Sequence, residues 1–146
     1  MENKVILTYY DMDGNIAEET LWIDFLGDDR YQIKNIPFYT RNIAYNDIIT
    51  VEEEDGNLYF DELIEPSEHS TVQIVFFNHD LIQQTIKDLE EFNCSWEGIN
   101  EQEIIAVDVP SDVNYKSIKE YLDKRLGDDI LDYREAAISE THQNNL

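Results

Sequence analysis

Residues 70 to 93, Ser70-Thr-Val-Gln-Ile-Val-Phe-Phe-Asn-His-Asp-Leu-Ile-Gln-Gln-Thr-Ile-Lys-Asp-Leu-Glu-Glu-Phe-Asn93, change hydrophobic period within one short stretch. STVQIVFF is β-branched and aromatic, as a strand is; in NHDLIQQTIKDLEEFN the residues Ile82, Ile86, Leu89 and Phe92 fall three or four apart and predict a helical stripe. Asp80 and Gln83 have the spacing of a capping box at its start. Two further strands are expected in CSWEGI and EIIAVDVP, the second closed by Pro110. A second helix follows, with Ser111 or Asp112 as its cap, Tyr115, Ile118, Leu122 and Leu126 as its stripe and Gly127 at its stop. Residues 130–138 suit a last strand or a short helix, and residues 139–146 are expected to fray. The order strand, helix, strand, strand, helix and a further strand over residues 70–138 is that of a ferredoxin-like βαββα(β) sandwich.

Residues 1–69 keep the two-residue period of half-buried strands. Val5, Leu7 and Tyr9 share one face of KVILTYY, Asp13-Gly14 marks a turn, and Leu21, Ile23 and Phe25 repeat the pattern. Tyr31 and Ile33 continue it as far as Pro37, which cannot donate to a central ladder. Ile49 and Val51, then Leu58 and Phe60, flank a turn at residues 54–57. The fold class is therefore α+β, with an N-terminal antiparallel β-rich lobe packed on the C-terminal sandwich as one compact unit, since no Pro/Gly/Ser-rich linker separates them.

The 146 residues carry 33 acids against 10 bases, a net charge of −23. Before His69 stand 17 acids and 4 bases, after it 16 and 6, so the charge belongs to the whole folded surface. Such a surface repels nucleic acid and anionic lipid and speeds encounter with basic partners; acidity kept for solubility alone is the competing explanation. Aromatic residues are too many for a disordered acidic chain. Cys94 stands alone, without zinc spacing or a disulfide partner, and reads as a buried inert thiol. With neither a leader-like N-terminus nor a spanning apolar run, a cytoplasmic protein is expected.

The most acidic stretch, VEEEDGNLYFDE, places Glu52, Glu53, Glu54, Asp55, Asp61 and Glu62 on the outer face and tip of a hairpin. Alternation sends Glu53 to the face opposite Glu52 and Glu54, so they do not converge as a metal cage; DMDGN also departs from a calcium loop, with Gly14 at loop position 4 rather than 6. SEHS around His69 is no catalytic triad, because no strained elbow presents a serine, and His69 reads as a hydrogen-bonding residue before the Thr71 strand. No Gly-rich phosphate loop or basic stripe is present. Trp22 lies opposite Leu21 and Ile23, either under the second lobe or facing solvent as a hot spot. The loop carrying Pro37, Phe38, Tyr39 and Tyr45 either packs down or exposes an aromatic patch.

The succession Tyr31, Asn35-Ile36-Pro37-Phe38, Asp47 and His69-Ser70-Thr71, with IIAVDVP after it, resembles the bacterial family named domain of unknown function 4265, over residues 4 to 135. The resemblance implies a fold and no assigned activity. Where that pattern has a Gly before the Ser-Thr strand and a basic residue within it, this chain has Glu68 and Gln73. The expected function is that of a non-enzymatic acidic binding protein, an immunity or antitoxin-like protein that neutralises a basic effector such as a nuclease toxin. Its contacts would be the hairpin carboxylates with Asp28, Asp29, Asp128 and Asp129, and the aromatic anchors Trp22, Tyr39 and Tyr45. No catalytic residue, metal or cofactor is assigned. The alternative is a small-ligand regulatory module built on the ferredoxin-like half.

Overall fold

The computed structural model describes residues 2–99 and 101–146. The chain is an α+β protein with two sheets. β1 (Glu2–Tyr10), β2 (Ile16–Gly27), β3 (Arg30–Ile33), β4 (Ile48–Glu54) and β5 (Asn57–Glu65) pair as successive antiparallel neighbours and close into a barrel. The closing β1–β5 pair runs parallel, through Ile6 opposite Tyr59. Val5, Leu7, Leu21, Ile23, Ile33, Ile43 and Ile49 fill the barrel. Two of its turns need backbones in the left-handed region at both central residues: Asp28 and Asp29, and Asp55 and Gly56. Asp tolerates that region because its short polar side chain bonds locally, and the resulting turn matches strand twist.

The second sheet has the order β7-β8-β6-β9, all antiparallel, from β6 (Ser70–Phe76), β7 (Ser95–Ile99), β8 (Ile104–Val109) and β9 (Leu131–Ala137). Between them run α1 (Ile82–Glu91) and α2 (Tyr115–Gly127), which bury Ile82, Ile86, Leu89, Tyr115, Ile118 and Leu122 against Val72, Ile74, Phe76, Ile105, Val107, Val109 and Leu131. Alternation along the strands leaves Thr71, Gln73, Val75, Asp108, Asp132 and Arg134 on the opposite, helix-free face. The barrel packs on part of that face: Thr71 Oγ1 donates to the Ile43 carbonyl, Gln73 Nε2 to that of Pro37, and Asn42 N to that of Ala136.

Several expectations need correction. Phe25 does not continue the buried face of β2: a register shift between Phe25 and Gly27 carries the strand past the barrel interior, and Phe25 is 55% exposed against the edge of Tyr31. Asp80 does not cap α1; a 3-10 turn at His79–Leu81 intervenes, and Asn78 caps it by accepting from Asp80 N. Asn114, not Ser111 or Asp112, caps α2, and the left-handed residue after that helix is Asp129 while Gly127 ends the helix. Leu126 is half out of the stripe and exposed.

Within residues 130–138 the chain forms strand rather than helix, Leu131–Ala137, an edge strand paired with β6 that buries Leu131 and Ala136 on opposite sides. The expected fraying of residues 139–146 is also overturned. They form α3 (Glu140–Gln143), capped by Ser139, and His142 is completely buried. Its Nε2 bonds the Pro110 carbonyl at 3.0 Å and its Nδ1 the Ser70 hydroxyl at 2.5 Å, so the imidazole carries its proton on Nε2. Polar bonds and stacking on Tyr115 hold a segment that the sequence offers no apolar stripe to dock. No helix among the described residues is long and apolar enough to cross a membrane.

Candidate functional site

The loop between β3 and β4 is the tie between the two sheets. Glu19 of β2, buried beneath it, accepts from the backbone N–H groups of Phe38 at 2.7 Å, Tyr39 at 3.3 Å and Thr40 at 3.0 Å, and from Thr40 Oγ1 at 2.8 Å. From the other sheet, Glu97 of β7 accepts from Ile36 N at 2.7 Å and Asn35 Nδ2 at 3.2 Å. Two carboxylates thus satisfy successive amides of a loop that carries Pro37 and makes no ladder of its own. The loop is packed down: Ile36, Pro37 and Thr40 are buried, and Tyr39 alone among its aromatics stays exposed, stacked on Tyr9 with ring centroids 5.2 Å apart.

A second tie lies at Asp47, whose carboxylate accepts from Ala44 N and Ser67 N, and whose pKa is raised by burial against those hydrogen bonds. His69 lies beside it. Its Nδ1 is 2.9 Å from Asp108 Oδ1, and that hydrogen bond raises the imidazole pKa against the desolvation that lowers it. Sequence alone did not join these two residues, which are 39 positions apart. The Ser67 hydroxyl is spent on the Tyr45 carbonyl and accepts from His69 N, so it is no nucleophile for this imidazole. Tyr45 is half-buried, with Lys34 Nζ 5.4 Å from its ring centroid and the His69 ring 6.0 Å away. It is a packing residue here and not an exposed anchor.

The end of the barrel opposite the β1–β2 turn gathers most of the acids singled out from the sequence. Tyr31 pairs with Ile49 and Gly27 with Arg30, so the Asp28–Asp29 turn runs level with the acidic arm of β4. Glu52, Glu53, Glu54 and Asp55 project beyond it at the hairpin tip, all exposed. Asp61 and Glu62 stand back along β5, tied to Thr50 through Asp61 Oδ2 and Glu62 N. Arg30 in this region is paired, with Glu65. Beside the Asp28–Asp29 turn stand Phe25 and Leu26, 55% and 47% exposed. Trp22 lies further back on the outer face of β2, open to solvent on one side, with Lys4 Nζ 4.4 Å above its ring.

Asp128 and Asp129 are not part of that end. They precede Ile130, whose carbonyl accepts from Phe77 N, at the end of the second sheet that faces the β1–β2 turn. β2 spans 12 residues between its two turns, so these two acids lie at the far end of the molecule from the hairpin tip. Sequence reasoning missed Phe25, Leu26 and Glu19 as site-forming residues. The signal for Phe25 and Leu26 was the run FLGDD, in which two apolar residues meet a turn with no room for a further buried position. For Glu19 no signal was present, because three of its four donors are backbone amides of a loop without a periodic pattern. Among the described residues no three His, Cys, Asp or Glu side chains gather as a metal site would need.

The model of the family described as a domain of unknown function, DUF4265, matches residues 19–133. A solved structure of a hypothetical protein from Neisseria gonorrhoeae is similar to this chain, at 33% identity and a TM-score of 0.88, over 95% of this chain and 96% of that one. No protein of curated function matches.

Proposed function

We propose, for a chain that belongs to the DUF4265 family and takes from it a fold without an assigned activity, that it is a non-enzymatic binding protein for a basic protein partner. The observation that carries this reading is the barrel end at which Phe25 and Leu26 stand exposed beside the Asp28–Asp29 turn, on the end of the barrel from which the hairpin tip with Glu52, Glu53, Glu54 and Asp55 projects. Apolar anchors bordered by polar and charged residues are the usual anatomy of a protein interface. With a net charge of −23, the partner that such a rim attracts is basic, and a second copy of this chain is repelled. An acidic end of this shape suits the phosphate-binding groove of a nuclease, so an immunity or antitoxin-like role toward such an effector in the cytoplasm is the most concrete form of the proposal.

The chain order of β6 to β9 with α1 and α2, and the sheet order β7-β8-β6-β9, support reading the second unit as a ferredoxin-like split βαβ sandwich. In this proposal that unit is the platform, and the barrel presents the interface. The test is capture of a partner from cell lysate at low and moderate salt, then titration of the purified partner against wild type, Phe25→Ser with Leu26→Ser, and Glu52→Lys with Glu53→Lys and Glu54→Lys. Charge reversal is expected to slow association and flatten its salt dependence, and loss of the anchors to speed dissociation. No partner at either salt, or one that binds both variants as tightly as wild type, refutes the assignment.

A further inference from the structure

At the other end of the barrel, the β1–β2 turn and the helix-free face of the second sheet enclose a groove of about 350 Å³. Tyr9, Tyr10 and Met12 form one wall, Tyr39 and Phe38 the back, and Val75 and Ile104 the floor with Arg134 beside them. Tyr10, Met12 and Val75 are exposed there, so the apolar surface is available.

Arg134 is the unusual member of this lining. Its chain holds 33 acids, yet among the described residues its guanidinium forms no salt bridge. Nε donates to Gln73 Oε1 at 2.7 Å, and Nη2 donates both to that oxygen and to the Tyr39 carbonyl at 2.9 Å. Gln73 is itself oriented by its donation to the Pro37 carbonyl. A guanidinium has five N–H donors, and these bonds use three of them, leaving both on Nη1 without a protein acceptor among the described residues. No buried side-chain polar atom among the described residues lacks a partner, so Nη1 is open to solvent. Burial first, and then the neighbouring Arg41, pull the guanidinium pKa down, with Glu19 acting the other way; the charge is crowded by a like charge and incompletely solvated. The two carboxylates of the lining are engaged locally, Asp11 Oδ1 by the amides of Asp13 and Asn15 and Asp132 Oδ1 by that of Tyr133.

We propose that this groove binds a small organic monoanion, a carboxylate with an aromatic or aliphatic body. The carboxylate lies on the Nη1 edge of Arg134, fixed in place by Gln73 and the Tyr39 carbonyl, and the body lies between Met12, Tyr9 and Val75. The volume suits one such molecule. At the Nη1 edge a cationic group is disfavoured by the Arg134 guanidinium itself, with Arg41 near it. A dianion such as a phosphate monoester is repelled by the net charge of −23 about twice as strongly as a carboxylate.

The experiment titrates isotopically labelled full-length protein with phenylacetate, 3-phenylpropionate and octanoate, and with phenylacetamide as the uncharged control, read by the NMR signals of Met12, Val75 and Arg134. At least one carboxylate is expected to shift these signals saturably, with phenylacetamide weaker by about tenfold or more, the loss of a charge-assisted bond. Val75→Glu sets a negative charge on an exposed position of the floor and is expected to abolish the shifts of Met12 and Arg134 while leaving the fold intact; Arg134→Lys is expected to weaken those of Met12 and Val75. Because Arg134 also ties Gln73 and Tyr39, the Val75 variant decides if the Arg134 variant does not fold. Four results overturn the proposal: no saturable shift up to about 20 mM; equal binding of phenylacetamide; shifts centred on other residues; or full binding by the Val75 variant. The site is independent of the barrel end, and the Phe25 variant should bind as wild type does.

Discussion

Replacing Glu19 by Gln tests whether the loop between β3 and β4 is held by charge. The Gln oxygen can keep the position of Oε1, which receives Thr40 N, Thr40 Oγ1 and Tyr39 N, but its amide nitrogen then faces Phe38 N, at present 2.7 Å from Oε2. One charge-assisted bond becomes a contact between two donors, and a partly buried N–H left unpaired costs about 1–3 kcal/mol. The three surviving bonds go from an ionised to a neutral acceptor, roughly halving their strength. With each neutral bond contributing about 1 kcal/mol net, and some relaxation toward solvent by Phe38, the whole loss is about 2–4 kcal/mol. For a domain whose total stability is of order 5–15 kcal/mol this is large. In urea, with a slope near 2 kcal/mol/M, the midpoint should fall by about 1–2 M, and amide exchange at residues 38–40 should accelerate more than in the barrel interior. A midpoint shift below about 0.25 M, with unchanged exchange at those three amides, refutes the claim that Glu19 holds the loop.

Stability should also depend on His142 between neutral and mildly acidic pH. Burial lowers its folded pKa below the unfolded value of about 6.5, so its contribution is full above that pH and is lost as pH falls toward the folded value. His69 acts oppositely, its folded pKa being raised by Asp108, so it adds stability that is complete below about 6.5 and lost as pH rises through the folded value. The difference in melting temperature between wild type and His142→Gln, measured from pH 7.5 to 5.0, cancels the His69 effect and should shrink as pH falls; a flat difference counts against a buried neutral imidazole. Cys94 is buried, and desolvation pushes its thiol pKa up to about 12. At pH 8 the native protein should therefore react with a thiol-specific disulfide reagent more than about a thousandfold slower than the urea-unfolded chain, and comparable rates would show that the β7 edge opens readily.

The second sheet was legible because its signals are local and repeated. STVQIVF and EIIAVDV contain enough β-branched residues to bury both faces, and the spacing of Ile82, Ile86 and Leu89 admits no strand. Where the reading failed, a polar residue that bonds backbone decided the outcome. Asn78, Asn114 and Ser139 cap their helices, and neighbouring Asp and Ser residues offer equally good caps until three-dimensional positions choose between them. The docking of residues 139–146 is the same case: its determinants include one imidazole, one hydroxyl and one carbonyl, separated by 72 and 32 positions, with Glu68 and Asn145 adding further polar bonds, and no periodicity marks them.

The candidate sites follow the same division. The acids of VEEEDGNLYFDE were legible as an exposed hairpin face, since their number in a short run forbids burial. Their grouping with Asp28 and Asp29, and their separation from Asp128 and Asp129, depend on strand register, which a charge count does not contain. Phe25 was misassigned because alternation predicts which face a residue takes, but not where the partner layer ends; β2 outruns the barrel interior by one turn of the pattern. Arg134 illustrates the converse. In DYREAA it reads as an ordinary solvated cation between acids, yet Glu135 is turned by alternation to the helix face, where it meets Tyr115 and Lys119, and Asp132, on the same face as Arg134, accepts instead from Tyr133 N. A cation thus lacks an ion pair in a chain with a threefold excess of acids, because the face it occupies offers it the Gln73 amide and the Tyr39 carbonyl instead.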